Sequence, residues 1–164
     1  MKDLVAIFFD CDGVFTDGKI TFDAEGREMR TYDMQDGMGV TLLRNAGIFV
    51  SVMSSSYGGS IGKRMEMLKV EHCYTKVKDK AALVLQICEE RGFDLSQVAF
   101  VGDDLVDLPP MEIVGFPIAV ANAVPVVKES AKYVTVNSGG AGAIREIAEK
   151  ILGVQKKISG DNQQ

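Results

Sequence analysis

The sequence predicts an α/β fold, a doubly wound parallel sheet with a β-hairpin flap after its first strand and no cap domain. Three observations point there. Apolar runs of strand length at residues 4–9, 48–53 and 98–101 are continuous, not alternating, as strands buried on both faces require. Segments of helical period separate them, which is the alternation of βαβ units. Each run also ends in a cluster of polar residues, and parallel strands would bring those clusters to one edge of the sheet.

Taken in order, residues 4–9 form the first strand. Residues 18–22 and 27–34, separated by Asp23-Ala24-Glu25-Gly26, form the hairpin. A helix over 37–46 carries Val40 and Leu43 and stops at Gly47, and Ile61, Met65 and Leu68 mark one face of a second. The third helix has Asp79 as N-cap, an apolar face through Leu83 and Ile87, and Gly92 just past its end. A short helix from about Pro109, a strand at 116–120, a helix near 125–131 and a last helix at 143–152 complete the alternation. His72 and Cys73 fit a short core strand and Cys11 a core position, while residues 139–142 turn the chain into the last helix. The expectation is one domain over 1–153 and a polar tail, 154–164, that frays.

A chain of 164 residues fits one domain at ~100 to 200 residues each. A domain of that size buries roughly 70% of its extended surface and needs no disulfides or structural metal to close its core. The 18 Lys+Arg against 23 Asp+Glu give a net charge of −5 and a pI near 4.9. That sign argues against a general nucleic-acid binder, which needs a basic footprint. It leaves open a small anionic substrate held through a bound cation. The apolar run at 4–9 is too short for a signal peptide or a membrane span, and 114–127 is broken by Gly115, Pro117, Asn122 and Pro125. No membrane segment is expected. Cys11, Cys73 and Cys88 are widely spaced with no CxxC pair, so neither a disulfide framework nor a zinc site is predicted and a reducing cytoplasm is the expected location.

The polar clusters at the strand ends carry the chemistry. Asp10-Cys11-Asp12-Gly13 follows the first run, Ser54-Ser55-Ser56 the second, and Gly102-Asp103-Asp104 the third, with Asp107 three residues on. Carboxylates gathered at one edge repel each other, and hard oxygen ligands are what magnesium prefers. The residues therefore predict a magnesium site built from Asp10, Asp12 and Asp103. A carboxylate can also attack phosphorus, forming an aspartyl-phosphate, once a cation and a nearby lysine relieve the repulsion between the two anions. Lys80, one residue into the third helix, suits that task, with Lys76 and Lys78 as rivals. Asp10 and Asp12 share a side in an extended segment, so one can attack while the other passes a proton to the leaving alcohol and then takes one from water. In outline this is a phosphomonoester hydrolase. Singly, a DxD is often only a capped turn, a serine triplet a flexible turn and a helix lysine a solvated one; their joint occurrence gives the chemical reading its weight.

Asp10-Cys11-Asp12-Gly13-Val14-Phe15-Thr16-Asp17-Gly18, Ser54, Lys80 and Gly102-Asp103-Asp104-Leu105-Val106-Asp107 resemble, in order, the four motifs of the haloacid dehalogenase-like hydrolases. The match is closer to one capless branch, the 3-deoxy-D-manno-octulosonate 8-phosphate phosphatases. It extends through the hairpin, Asp36-Gly37-Met38-Gly39, Asp107-Leu108-Pro109, Ala119-Val120-Ala121-Asn122-Ala123 and Gly139-Gly140-Ala141-Gly142-Ala143-Ile144-Arg145-Glu146, covering residues 4–152. The resemblance implies that Asp10 is the nucleophile and Asp12 the general acid/base, with the backbone carbonyl of Asp12 completing a magnesium site beside Asp10 and Asp103. Asp104 and Asp107 would orient metal waters or the lysine. Ser54 and Lys80 would bind the phosphoryl group, together with Gly13, Ser55 and the amides after Asp10. It further implies a sugar phosphate substrate, octulosonate 8-phosphate first, a place in lipopolysaccharide synthesis, and a homotetramer in which a neighbour covers the open site beside the hairpin.

Family members commonly carry Gly-Arg where this chain has Ser55-Ser56, and Arg where it has Gln35. A nonulosonate 9-phosphate or another small sugar phosphate is therefore the alternative substrate, with Arg27, Arg30, Lys63 and Arg64 as candidates for replacement charge. Two readings from other classes compete. A phosphorelay receiver domain places its acidic pair first and a lone phosphorylated Asp after a middle strand, an order this chain does not follow. A non-catalytic oligomerisation module of the same fold does not require Asp10, Asp12, Lys80 and Asp103.

Overall fold

The computed structural model describes residues 3–153. Six strands form one parallel sheet in the order β5-β4-β1-β6-β7-β8: β1 (Ala6–Asp10), β4 (Phe49–Met53), β5 (His72–Tyr74), β6 (Val98–Gly102), β7 (Phe116–Ala119) and β8 (Tyr133–Val134). β1 is central. It pairs with β4 from Ala6↔Phe49 to Asp10↔Met53, and with β6 from Ala6↔Val98 to Phe9↔Val101. All five residues of β1 and all five of β6 are buried, which is why their sequences are apolar without alternation. The strand order reverses between β1 and β6, the place where open α/β sheets form a ligand crevice.

α1 (Met34–Asn45) packs on α6 (Ala143–Leu152) and meets α2 (Gly59–Met67), while α3 (Lys80–Arg91), α4 (Leu108–Ile113) and α5 (Pro125–Ser130) pack in succession on one another. The third predicted helix matches its punctuation. Asp79 accepts from the Ala82 amide at 2.9 Å, and Gly92 ends the helix in the left-handed region at φ 67°. Gly39 lets α1 and α6 approach closely, since a Cβ there would meet the backbone of Ile144 and Arg145.

The hairpin is shorter than its pattern predicts. Its strands, β2 (Thr21–Phe22) and β3 (Glu28–Met29), hold two residues each, and residues 30–33 leave the ladder. The reason lies in Asp33, whose carboxylate accepts from the Asp36 amide at 2.9 Å and caps α1. The first helix therefore begins at Met34, three residues before the predicted start, because the N-cap decides the boundary and the apolar period does not. β8 has only two residues, half-buried and exposed, too few to show a pattern. Between β1 and α1 only the hairpin intervenes, so no cap domain interrupts the core at that point. The predicted tail, 154–164, lies outside the described residues. No helix among those described is long and apolar enough to cross a membrane.

Candidate active site

The carboxyl ends of β1, β4 and β6 and the first turn of α3 meet in one cleft of about 240 Å³. Asp10, Asp12, Gly18, Ser54, Ser55, Lys80, Asp103 and Asp104 all face it. Every strand-end cluster picked out in the sequence thus arrives at the same place. Asp10 is the last residue of β1, and Asp12 follows in a turn closed by the Phe15 amide on the Cys11 carbonyl at 2.9 Å. Cys11, Val14 and Phe15 are buried, with Phe15 edge-on to Phe9 at 5.5 Å, so apolar packing holds the acidic loop in place. Cys11 is a core residue, as expected.

Of the three lysines, Lys80 is the one that reaches the acidic cluster. Its ammonium lies 2.5 Å from Asp10 Oδ1 and 2.6 Å from Asp107 Oδ1, and its side chain is buried. Lys76 instead sits over the Tyr57 ring at 4.6 Å, and Lys78 is exposed. Asp107 is fully committed, because its second oxygen accepts the amides of Asp103 at 2.9 Å and Asp104 at 3.4 Å. Of the two supporting acids, Asp107 therefore orients the lysine, whereas exposed Asp104 bonds the Leu105 amide at 2.7 Å and caps the turn after β6. Ser54 is buried, and its hydroxyl accepts the Ser56 amide at 3.0 Å, which bends the chain after β4.

Asp10, Asp103 and Asp107 each place a carboxylate oxygen within 4.8 Å of the others. Burial and the Asp107 carboxylate push the pKa of Asp10 up to about 8, against the opposing pull of Lys80. Burial and the charges of Asp107 and Asp104 push Asp103 up to about 7. Burial also works against the Lys80 ammonium, but the charges of Asp10 and Asp107 outweigh it and raise its pKa. One ammonium does not balance three carboxylates. The cluster is short of positive charge.

Several residues of the family motifs hold this site through contacts between loops that sequence order does not show. Gly13 stands at φ 89° against the Asp103 carboxylate, and any Cβ there would collide with it. Asn122 donates to the Gly13 carbonyl at 2.9 Å and accepts from the Gly139 amide at 2.6 Å, fastening the acidic loop to the loop before α6. The glycines at 139–140 lie against the backbone of Gly13 and Thr16, so this segment packs on the acidic loop. Asp36 accepts amides from Gly142 (3.2 Å), Ile144 (2.9 Å) and Arg145 (3.0 Å), joining α1 to the start of α6. Gln35 does not reach the cleft; it lines a separate hollow of about 660 Å³ with Arg145 and Glu149.

A doubly wound sheet that gathers paired aspartates, a serine and a buried lysine at its switch point is the frame of a phosphate-ester hydrolase. Comparison with known proteins bears this out. A family model described as haloacid dehalogenase-like hydrolase matches residues 67–147. The 3-deoxy-D-manno-octulosonate 8-phosphate phosphatase of Yersinia pestis is 35% identical over 92% of this chain and 81% of its own. The crystal structure of the corresponding Moraxella catarrhalis enzyme, in complex with magnesium, phosphate and the octulosonate, superposes with a TM-score of 0.90 at 32% identity, covering 94% of this chain and 88% of that one. A cobalt-bound form of the Haemophilus influenzae enzyme gives a TM-score of 0.88 at 32% identity, over 94% of this chain and 90% of that one. The chain belongs to the haloacid dehalogenase-like hydrolases, in the family of the 3-deoxy-D-manno-octulosonate 8-phosphate phosphatases, and is a phosphoric monoester hydrolase.

Proposed function

We propose that the chain is a magnesium-dependent phosphomonoesterase that acts through an aspartyl-phosphate on Asp10, with 3-deoxy-D-manno-octulosonate 8-phosphate as its substrate. The observation that carries this reading is the buried pairing of Asp10 with Lys80 at 2.5 Å, opposite Asp103 in a cleft short of positive charge. The residues fit a divalent cation. Both oxygens of Asp107 are taken by Lys80 and two amides, which leaves Asp10 and Asp103 to hold the metal with the Asp12 carbonyl. When bound, magnesium neutralises these carboxylates and a phosphoryl oxygen together.

In the first half-reaction the free Asp10 oxygen attacks phosphorus, and the bond from phosphorus to the sugar oxygen breaks. Lys80 holds the other Asp10 oxygen, so the nucleophile keeps one orientation. The Asp12 carboxyl gives its proton to the departing alkoxide. In the second half-reaction the Asp12 carboxylate takes a proton from the water that attacks the same phosphorus, and Asp10 leaves with inorganic phosphate. Ser54 and Ser55 line the cleft and would border the phosphoryl oxygens, whereas the Gly13 amide, expected beside them, donates to Thr16 Oγ1 at 3.2 Å.

The short neutral side chains of Ser55 and Ser56 line the cleft where the family commonly has an arginine, and this favours the nonulosonate 9-phosphates as the second reading. A panel of octulosonate 8-phosphate, nonulosonate 9-phosphates and simple sugar phosphates separates the two. Phosphate release from the octulosonate with magnesium, lost on chelation, is the expected result. Release from none of them would end the proposal.

We also infer a tetramer working in a reducing cytoplasm. Exposed Ile20, Phe22 and Met29 in the hairpin region, Met34 at the start of α1 and Tyr57 after the serine triplet support subunit contact, and the free thiols of Cys11, Cys73 and Cys88 suit that compartment. A monomer by light scattering at working concentration would remove the first inference.

The raised pKa values of Asp10 and Asp103 have a consequence for the metal-free protein. A carboxyl whose folded pKa exceeds its unfolded value holds its proton more tightly when folded. Its stabilising contribution is complete below the ordinary carboxyl value and is lost as pH climbs through about 7 for Asp103 and about 8 for Asp10. Thermal melts of chelated protein are expected to drop between roughly pH 5 and pH 8. Magnesium should flatten that slope, and Asp10→Asn should make it shallower without metal. Equal slopes in wild type and variant would show that Asp10 is not titrating there.

A further inference from the structure

We propose that Arg30 is a positioning residue for Asp12, making the seating of the hairpin and the orientation of the proton donor a single event. The proposal rests on the reading of Asp12 as general acid/base. Arg30 leaves the end of β3 and reaches back to the acidic loop. Its Nε lies 2.6 Å from Asp12 Oδ1 and its Nη2 3.2 Å from Asp12 Oδ2, a two-pronged pairing that fixes both the place and the plane of the carboxylate. The Arg30 side chain is fully buried, while that of Asp12 keeps 24% of its exposure toward the cleft. The remaining nitrogen, Nη1, reaches Ser60 Oγ at 3.3 Å on α2 and pairs with Glu28 on β3. Gly58 leaves the space for it, since a Cβ at that position would press on Nη1.

One guanidinium thus ties together the hairpin, the loop after β1 and the start of α2. No other donor among the described residues bonds the Asp12 carboxylate. The other basic residues weighed as replacement charges are committed elsewhere. Arg27 pairs with Asp23 and Glu25 at the exposed hairpin tip, Lys63 pairs with Glu66, and Arg64 bonds the Asp33 carbonyl at 2.8 Å beneath the Tyr32 ring. The hairpin has two-residue strands and forms a sheet of its own, apart from the main one. Its ion pair with Asp12 is consequently a principal tether. When the hairpin is seated, Asp12 is held in one rotamer at the cleft wall, the fork using one lone pair of each oxygen and leaving the others for the proton that is transferred; when it lifts, the fork withdraws and Asp12 is free to turn. Lysine carries the charge but lacks the planar fork, so it can hold the place of Asp12 and not its plane.

The test compares a poor leaving group with a good one. Departure of a sugar alkoxide needs the proton from Asp12, whereas p-nitrophenolate leaves without it. The readout is kcat/KM for the sugar phosphate that the wild type turns over and for p-nitrophenyl phosphate, in Arg30→Gln, Arg30→Lys, Asp12→Asn and the Asp12→Asn/Arg30→Gln pair. Arg30→Gln is expected to lose about tenfold or more on the sugar phosphate relative to the aryl ester, part of the ~10²- to 10⁴-fold that a general acid supplies. Arg30→Lys should recover some of that loss, and the double variant should be no worse than Asp12→Asn alone. Equal losses on both substrates, or additive losses in the double variant, would overturn the proposal by showing that Arg30 serves the fold and not Asp12. If Asp12→Asn itself shows no dependence on the leaving group, the acid/base reading fails first and the proposal with it. Should Arg30→Gln not fold, as judged by thermal melts, Arg30→Lys carries the same comparison.

Discussion

Asp10→Asn is expected to lower phosphate release by more than about 10³-fold while leaving the protein folded, because it removes the attacking oxygen and little else. The amide is isosteric with the carboxylate, and its oxygen can still accept from Lys80. It cannot attack phosphorus. Its effect on stability should have the opposite sign from most core changes. Asp10 is 6% exposed, and burial first and the neighbouring Asp107 charge second raise its pKa, so a neutral side chain relieves both the desolvation and the repulsion. Phosphate release and a thermal melt on the same sample check both halves. Activity within tenfold of wild type would place the nucleophile elsewhere. A large fall in melting temperature would mean that the Lys80 ion pair contributes more to the fold than the crowding of carboxylates takes away.

Asp36→Ala is expected to do the reverse, with stability falling first and activity following. Asp36 is 1% exposed, and its carboxylate receives three amides at the start of α6. Burial holds its pKa above the ordinary carboxyl value, against the opposing pull of the amides. Truncation leaves those donors unpaired inside the α1–α6 contact. The cost is roughly 2 to 4 kcal/mol, from the loss of a helix cap and of charge-assisted bonds at a buried site. For a chain of this size that is a fall in melting temperature on the order of 10 °C. Asp36→Asn keeps one acceptor oxygen and should fall between. A calorimetric melt unchanged in Asp36→Ala would mean that water satisfies the amides.

The sheet and the acids could be read from the sequence because each follows from a local rule. Fully buried parallel strands are continuous apolar runs, and the residue just past such a run lies at the sheet edge, so Asp10, Ser54 and Asp103 announce themselves by position. Lys80 could be singled out by its place in the first turn of a capped helix, although its bonds to Asp10 and Asp107 depend on where α3 lies. Arg30, Asn122 and the clasp at Asp36 are different. Asn122 is an ordinary loop residue until the loops of β1 and α6 lie on either side of it. Arg30 belongs to a stretch whose alternation suggests a longer strand, and the Asp33 cap that ends the strand is a tertiary decision about where α1 sits. The hairpin strands came out at two residues for the same reason.

The bonds from Asn122 to Gly13 and from Asp36 to Arg145 each span 109 positions along the chain. Order in the acidic loop is therefore expected to come late in folding. The residues that carry Asp10 are synthesised first, but the contacts that hold their loop wait for residues 122–145. A chain emerging from the ribosome carries Asp10 long before the contacts that hold its loop can form, and it is expected to stay inactive until α6 docks. Contacts of such long range are closed slowly. A variant that loosens α6 would delay the gain of activity more than the gain of helix, and a refolding experiment that follows both signals would see them separate.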